Sequence, residues 1–282
     1  QLKYVQMHYK VWGPKAVLRA TLAKKSEFAM PVELITVPCL NDNYAFLIHD
    51  ALTWQTALID APEAAPIQAA LDARGWTLTD ILITHHHDDH IQALAPLRGT
   101  ARVIGAKADA PRLPPLDLQV AGGDTLTVCG CKADVIEVYG HTVGHIAFHI
   151  PSEQLLFTAD SLMAMGCGRL FEGTPAQMWD SVQRLRALPG DTVVCSGHEY
   201  TATNAQFALS LEPGNSAIIS RVMATRAARE NGLATVPSPL WLECETNPFL
   251  RADDPALAKA MNMADAQPDD IFTEIRARRD RF

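Results

Sequence analysis

The stretch Thr84-His85-His86-His87-Asp88-Asp89-His90 places four histidines and two aspartates in the six positions after Thr84. The whole chain has 10 histidines in 282 residues, so four histidines within six positions are far more than the average composition predicts. The apolar run 81–83 directly before it is typical of a buried strand. Imidazole nitrogen and carboxylate oxygen are ligands of zinc and related transition metals. A solvated surface loop is the alternative, but the pattern favours a metal centre.

A tight loop after a strand can aim His85 and His87 at one point, with Asp89 and His90 reaching a second point nearby. Two neighbouring ions need further ligands from distant parts of the chain. Candidate ligands stand at the carboxyl ends of three other apolar runs, at His141, Asp160 and His198. Small residues beside two of these candidates allow a close backbone approach, in Gly140-His141-Thr142 and in Ser196-Gly197-His198. Seven ligands with one shared carboxylate would satisfy two ions.

The composition excludes several functional classes. With 48% hydrophobic and 20% charged residues, the chain is typical of a soluble globular protein with a sizeable core. The net charge of −8 has the wrong sign for nonspecific nucleic-acid binding. Apolar runs stay well short of the ~18 residues that a membrane span requires. The six cysteines include no CxxC pair, which indicates thiols in a reducing compartment and predicts a cytoplasmic protein.

Residues 30–199 carry the pattern of a mixed β and α domain. Strands are predicted at 32–40, 44–49, 56–60, 81–83, 102–105, 125–129, 133–138, 145–150, 154–158 and 192–195. A helix is predicted over 66–74, ending at Gly75. Another begins at Thr174-Pro175-Ala176-Gln177, which has the residues of a capping box.

The two ends of the chain differ from this domain. Residues 200–282 read as helical, with Asn215 capping one helix and an apolar stripe near the C-terminus. Residues 1–29 contain six basic residues and one acidic residue. They are expected to be a leader or added residues outside the fold, with organellar targeting left open, and folding is expected to begin near Met30. The fold class predicted from the whole pattern is α/β (α+β).

Four strings together resemble the metallo-β-lactamase superfamily: T-H-x-H-x-D-H from Thr84, G-H-T-x-G-H from Gly140, F-T-x-D from Phe157 and G-H-E-Y from Gly197. Three further strings resemble its glyoxalase II branch, the hydroxyacylglutathione hydrolases. They are Gly166-Cys-Gly-Arg-Leu-Phe-Glu-Gly173, Glu212-Pro-Gly-Asn215 and Asn247-Pro-Phe-Leu-Arg251. The resemblance implies an αββα sandwich followed by a smaller α-helical domain that closes the substrate site.

The resemblance also implies roles for individual residues. The first metal would be held by His85, His87 and His141, the second by Asp89, His90 and His198, and Asp160 would bridge them. Asp160 and Asp89 would thereby serve catalysis. The implied substrate contacts are Arg169, Phe171, Tyr200 and Arg251, although Phe171 stands where some members have a tyrosine. Asp60 is expected to orient a metal ligand.

The activity implied is hydrolysis of S-(2-hydroxyacyl)glutathione, typically S-D-lactoylglutathione, to D-lactate and glutathione in methylglyoxal detoxification. Two divalent ions are expected, zinc first, with iron or manganese as alternatives. The expected partner is this small thioester, with neither nucleic acid nor membrane, and the protein is expected to be a monomer. The alternatives are a mononuclear-iron glutathione persulfide dioxygenase, another hydrolase of the same fold, or a non-catalytic metal-binding module.

Overall fold

A computed structural model describes residues 18–20 and 32–282 of the chain. Its first sheet has seven strands that follow one another in chain order. They are β1 (Leu18–Ala20), β2 (Glu33–Cys39), β3 (Asn43–Asp50), β4 (Gln55–Ile59), β5 (Asp80–Leu82), β6 (Arg102–Ala106) and β7 (Leu118–Val120). The pairs from β1 to β4 are antiparallel, and those from β4 to β7 are parallel. The carboxyl ends of β4, β5 and β6 therefore meet at one edge.

The second sheet is formed by later strands of the chain. The remaining strands are β8 (Thr125–Val128), β9 (Cys131–Glu137), β10 (Ile146–Ile150), β11 (Leu155–Ala159), β12 (Leu162–Met163), β13 (Gly166–Cys167), β14 (Val193–Ser196) and β15 (Ser238–Pro239). Six of them form the sheet in the order β15-β14-β11-β10-β9-β8, and β12 and β13 pair separately. Because β11 and β14 are parallel neighbours, their carboxyl ends also share an edge.

Helices cover the outer faces of both sheets. They are α1 (Ala64–Asp72), α2 (Asp88–Ile91), α3 (Leu94–Arg98), α4 (Pro175–Arg186), α5 (Thr201–Leu211), α6 (Ser216–Glu230), α7 (Leu240–Thr246), α8 (Pro255–Ala260) and α9 (Pro268–Arg281). One apolar core lies between the sheets, a second lies under α1 and α3, and a third lies under α4 and α9. This layering, with helices after β14, confirms the predicted fold class.

Strand β10 shows why the central layers are apolar on both sides. Its residues Ile146, Phe148 and Ile150 belong to the core between the sheets, whereas Ala147 belongs to the core under α4. The period-2 alternation predicted for this segment is therefore present, and both of its faces are buried.

Local signals placed the start of two helices correctly. Thr174 Oγ1 accepts a hydrogen bond from the backbone N–H of Gln177, whose side chain accepts one from the N–H of Thr174. Asn215 Oδ1 accepts hydrogen bonds from the first turn of α6. Caps of this kind stabilise a helix by about 1 kcal/mol each. The predicted caps are thus confirmed.

Some elements differ from the prediction. Strand β1 precedes Met30, where folding was expected to begin, because its extended backbone pairs with the otherwise open edge of β2. The expectation for the rest of residues 1–29 lies outside the described residues. Strand β7 was not predicted, since three residues are too few to show a period. Among the described residues, none of the helices combines the length and apolar character needed to cross a membrane.

A buried carboxylate joins the helical region to the β-rich part of the chain. Glu243, on α7, is fully buried and accepts hydrogen bonds from the backbone N–H of Met165 at 2.7 Å and from Ser238 Oγ at 2.6 Å. It also pairs with the buried guanidinium of Arg221 on α6. Since these partners come from separate elements, Glu243 fixes how they pack together.

We expect Glu243→Ala to lower the free energy of unfolding by about 3–5 kcal/mol, because it leaves a buried guanidinium without its counter-charge. Urea denaturation followed by circular dichroism measures this loss. Glu230→Ala, which removes an exposed ion pair with Arg226 on the same helical region, is the control and should leave the unfolding midpoint unchanged. Equal midpoints for the two variants would contradict the role assigned to Glu243.

Candidate metal centre

The predicted ligand residues come together where the two sheets present their carboxyl-end edges. The loop after β5 carries residues 84–90, Asp160 follows β11, and His198 follows β14. His141 lies in the turn between β9 and β10. The site is therefore built from strand ends, which are rigid parts of the fold.

Three imidazole nitrogens converge in the first group, which consists of His85, His87 and His141. His87 Nδ1 lies 3.2 Å from His85 Nε2 and 3.0 Å from His141 Nε2. Uncharged imidazole nitrogens directed at one point are the arrangement that a transition-metal ion requires.

A second group consists of Asp89, His90 and His198. Asp89 Oδ2 lies 3.8 Å from His90 Nε2 and 3.5 Å from His198 Nε2. Asn43 Nδ2 donates a hydrogen bond to the same Asp89 oxygen at 3.0 Å, which fixes the orientation of the carboxylate.

Asp160 lies between the two groups. Its Oδ2 is 3.4 Å from His141 Nε2, and its Oδ1 is 3.4 Å from His90 Nε2 and 3.3 Å from His198 Nε2. One oxygen thus faces each group, which is the geometry of a carboxylate shared between two positions.

Glycines make this close approach possible. A Cβ atom on Gly197 would lie 2.6 Å from Asp160 Oδ1, and one on Gly168 would lie 2.0 Å from the Asp160 carbonyl oxygen. A side chain at Gly197 would displace the carboxylate, and one at Gly168 would displace the Asp160 backbone. The expected role of small residues beside the ligands is confirmed at Gly197.

The outward-facing nitrogen of several rings is held by a neighbour. His141 Nδ1 lies 2.8 Å from the carbonyl oxygen of Arg169, and His198 Nδ1 lies 2.9 Å from Asp42 Oδ1. His85 Nδ1 lies 3.0 Å from Thr84 Oγ1. These contacts fix the ring orientation and leave Nε2 directed at the site.

Asp60, at the end of β4, orients two parts of the histidine loop at once. Its Oδ2 accepts hydrogen bonds from His90 Nδ1 at 2.8 Å and from Thr84 Oγ1 at 2.9 Å, and its Oδ1 accepts one from Thr84 N at 2.9 Å. Asp60 adopts a φ of 57°, which is unusual for a residue other than glycine. The predicted contact of Asp60 with a ligand-type histidine is confirmed.

The protonation states of His85 and Asp160 suit cation binding. Burial, together with the neighbouring imidazoles of His90 and His145, holds the pKa of His85 well below its ordinary value. Burial acts to raise the pKa of Asp160, but the imidazoles of His198 and His90 outweigh it and hold that pKa well below its ordinary value. His85 is therefore neutral and Asp160 ionised, the forms that coordinate metals.

Two orphaned atoms test whether the site fits a metal ion. His90 Nε2 and Asp160 Oδ1 are buried, and neither forms a hydrogen bond with any described residue, although they lie 3.4 Å apart. Buried polar atoms without partners cost free energy unless another group satisfies them. The imidazole and carboxylate donors directed at these positions fit a divalent metal ion.

Three of the residues expected to contact substrate surround this site. Tyr200 stacks on His198, with ring centroids 4.8 Å apart. Phe171 meets His87 and His141 edge-on, at 5.5 and 5.3 Å, and is 60% exposed. Arg169 has an exposed side chain, and its own carbonyl oxygen holds His141. An aromatic and basic rim therefore borders the histidines.

Arg251 differs from the expectation that it offers its charge to substrate. It is 9% exposed and pairs with Glu212, at 3.0 Å between Nη2 and Oε1, and with Asp254. The two carboxylates occupy its guanidinium, so this arginine stabilises the packing of the helical region.

The arginines of α9 also have protein partners. Arg276 is buried and donates to the carbonyl oxygens of Cys167 and Gly168, at 3.1 and 3.4 Å. Arg279 donates to Asn204 Oδ1 at 3.2 Å. Helix α9 thereby braces the loop that carries Arg169.

Sequence reasoning missed two residues that orient the site. Asp42 and Asn43 were interpreted only as a turn between strands, yet they hold His198 and Asp89. Their position directly after an apolar strand, the same signal that identified Asp160, could have revealed them.

Comparison with known proteins agrees with this geometry. The profile of the metallo-beta-lactamase superfamily matches residues 43–128 and 132–198, and that of the hydroxyacylglutathione hydrolase C-terminus matches 199–282. A hydroxyacylglutathione hydrolase from Ruegeria pomeroyi is 60% identical over 90% of this chain and 100% of its own length. One from Cereibacter sphaeroides is 59% identical with the same coverage.

The chain belongs to the hydroxyacylglutathione hydrolase family. This confirms the resemblance inferred from its motifs and identifies it as a hydrolase. Solved structures share the fold of the family more distantly. The BLEG-1 B3 metallo-beta-lactamase has a TM-score of 0.59 at 20% identity, covering 77% of this chain and 99% of that one. TTHA1623 in a di-iron-bound form has a TM-score of 0.56 at 24% identity, covering 79% and 100%.

In this hydrolase, Asp60→Asn should weaken metal retention by about 10- to 100-fold. The amide nitrogen of asparagine cannot accept the hydrogen bonds from Thr84 and His90. Metal content after dialysis against a chelator, measured by mass spectrometry, checks this.

Asp50→Asn is the matched control, because the Asp50 carboxylate likewise accepts three hydrogen bonds, from Leu52 and Thr53, in a turn outside the ligand groups. It should retain metal as the unmodified protein does. Equal metal loss from the two variants would contradict the orienting role of Asp60.

Proposed function

We propose that this protein hydrolyses S-(2-hydroxyacyl)glutathione, with S-D-lactoylglutathione as the typical substrate, to D-lactate and glutathione in methylglyoxal detoxification. The observation that carries this proposal is Asp160, whose two oxygens face two separate groups of ligand-type side chains. The names of the close relatives support the same reaction. Residues 30–199 would form the metal-binding domain and residues 200–282 the substrate-binding domain, in a cytoplasmic protein.

The proposed centre holds two divalent ions, with zinc expected and iron or manganese possible occupants of the same donors. The first ion would be held by His85, His87 and His141, and the second by Asp89, His90 and His198. Asp160 would bridge them.

Bound divalent ions supply a water of lowered pKa and polarise a carbonyl oxygen. The chain's own side chains orient that chemistry. Asp89 and Asp160 would present their oxygens in fixed orientations, because Asn43 and the surrounding imidazoles restrict their rotation. A thiol has an ordinary pKa of about 8.5, so its thiolate is a stable leaving group that needs little protonation. Thioester hydrolysis therefore requires no strong general acid.

Substrate recognition is assigned to the rim of the site. Arg169 is an exposed cation beside the His141 turn and suits a carboxylate of glutathione. Tyr200 offers its ring beside His198 of the second group, and Phe171 offers its ring beside His87 of the first group. Arg251 remains part of the proposed glutathione site only if substrate displaces one of its carboxylate partners.

Asp160→Asn is expected to reduce turnover by at least about 100-fold and to lower the metal content below two ions per chain, because an amide cannot bridge two cations with equal strength. Hydrolysis of S-D-lactoylglutathione and elemental analysis measure both effects. Asp191→Asn, at an exposed carboxylate that pairs only with Gln154 among the interactions described, should change neither. Two ions and normal turnover in Asp160→Asn would refute the proposed bridge.

Arg169→Gln is expected to raise KM about 10-fold with little change in kcat, since an exposed cation contributes to anion binding more than to the chemical step. Arg226→Gln removes another exposed arginine, on α6, and serves as the control. An unchanged KM in Arg169→Gln would exclude this arginine from the substrate site.

The persulfide dioxygenase alternative predicts consumption of oxygen and a single iron. Assays of S-D-lactoylglutathione with and without oxygen, on protein of known metal content, distinguish the two activities. Thioester hydrolysis that is equal in both atmospheres supports the proposal, and metal uptake without turnover would support a non-catalytic module.

A further inference from the structure

His86 is the one histidine of the 85–90 stretch that belongs to none of the ligand groups, and it joins a network of charged side chains. Its Nδ1 lies 3.1 Å from Asp109 Oδ2, and its Nε2 lies 3.7 Å from Glu172 Oε1. Arg112 pairs with both carboxylates. We name these four residues, His86, Asp109, Arg112 and Glu172, the Arg112 network.

The network connects three loops that border the site. His86 lies between two residues of the first ligand group, and Asp109 and Arg112 lie in the segment between β6 and β7. Glu172 lies in the loop after β13 and accepts a hydrogen bond from the backbone N–H of Val143 at 2.8 Å. Val143 belongs to the turn that carries His141. The Arg112 guanidinium joins its own segment to the Glu172 loop, and the same two carboxylates, Asp109 and Glu172, contact His86.

The loop that carries Glu172 lies directly against that turn. Phe171 N donates to the His141 carbonyl oxygen at 3.3 Å, and Gly173 N donates to the Gly140 carbonyl oxygen at 3.0 Å. A Cβ atom on Gly173 would lie 2.6 Å from Gly140 Cα. Two side-chain contacts join the same segments, from His141 Nδ1 to the Arg169 carbonyl oxygen and from Val143 N to the Glu172 carboxylate.

These attachments set the position of the ring of Phe171, which meets His87 and His141 edge-on. The network therefore touches the first ligand group from two sides, through His86 and through Phe171. Within the described contacts, the second group is held by other residues, namely Asn43, Asp60 and Asp42.

The Arg112 network is more than an exposed ion pair. Asp109 is fully buried, and a Cβ atom on its neighbour Gly144 would lie 2.0 Å from Asp109 Oδ1. Loss of Arg112 would leave the buried carboxylate of Asp109 and the carboxylate of Glu172 without the guanidinium that pairs with both, and the two like charges would repel each other. Such repulsion would separate the loops that the guanidinium now joins.

We propose that Arg112 and Glu172 are positioning residues, which hold the Phe171 loop and the His141 turn against His86 and thereby secure the first ion without affecting the second. This inference rests on the proposed two-ion function. A brace that served stability alone would instead affect both ions, and the melting temperature, together.

The test compares Arg112→Gln and Glu172→Gln with Arg98→Gln in the full-length protein loaded with zinc. Arg98 is the matched control because it makes two hydrogen bonds of 2.9 Å to Asp117 and has the same 34% side-chain exposure as Arg112. The measurements are zinc per chain during dialysis against a chelator, the melting temperature, and kcat and KM with S-D-lactoylglutathione. Glu172→Gln keeps an oxygen that can accept from Val143, so it decides the question if Arg112→Gln does not fold.

We expect both network variants to lose one of two zinc ions about 10-fold faster than Arg98→Gln, with the other ion retained at the unmodified rate. Their kcat is expected to fall about 10-fold. The melting temperature of Glu172→Gln should match that of Arg98→Gln, whereas Arg112→Gln should melt lower because it leaves the buried Asp109 carboxylate without its guanidinium. Arg112→Lys, which keeps the charge but can pair with only one carboxylate at a time, should be intermediate.

A second comparison identifies the ion. In a His87→Ala background, which lacks a ligand of the first group, Arg112→Gln should not change the loss of the remaining zinc. An accelerated loss there, an equal acceleration for both ions, or behaviour identical to Arg98→Gln would overturn the inference. If the unmodified protein itself held fewer than two zinc ions, the proposed function would fail and this inference with it.

Discussion

A buried carboxylate surrounded by imidazoles is the interaction on which the rest of this structure depends. Asp160 is 6% exposed, and each of its two carboxylate oxygens faces a histidine ring nitrogen. A charge in that position is tolerable only among groups that supply positive charge. The surrounding fold must therefore hold those rings at fixed distances from the Asp160 carboxylate.

The two-sheet architecture provides that rigidity. Asp60 ends a strand of the first sheet and holds His90, whereas Asp160 and His198 follow neighbouring parallel strands of the second sheet. Asp42, in a turn of the first sheet, reaches across to His198. Because each sheet contributes both ligand-type residues and the groups that orient them, the apolar core between the sheets also fixes the geometry of the site.

The sequence was sufficient to predict most of the strands, the fold class and the residues that gather at the site, because these signals are local, whereas the short strands β1 and β7 were not predicted. A carboxylate or imidazole directly after an apolar run marks a strand end wherever it occurs. The partners of these residues depend on contacts between distant segments. Arg251 illustrates the limit: the resemblance implies a substrate contact, but its pairing with Glu212, 39 residues away, is visible only in the folded chain. Asp42 differs, because its position after an apolar strand is a local signal, although its partner His198 lies 156 residues away.

One residue, Glu199, connects the helical region to the segment that carries His198. Glu199 follows His198 and precedes Tyr200, and its carboxylate accepts hydrogen bonds from Tyr44 OH at 2.7 Å and from Thr235 N at 2.8 Å. Arg229 of α6 contacts the same oxygen at 3.2 Å. A shift of α6 would therefore act on a segment that carries a ligand-type histidine on one side and an exposed aromatic ring on the other. The helices after β14 thus have a direct physical connection to the site, and their packing constrains the positions of His198 and Tyr200.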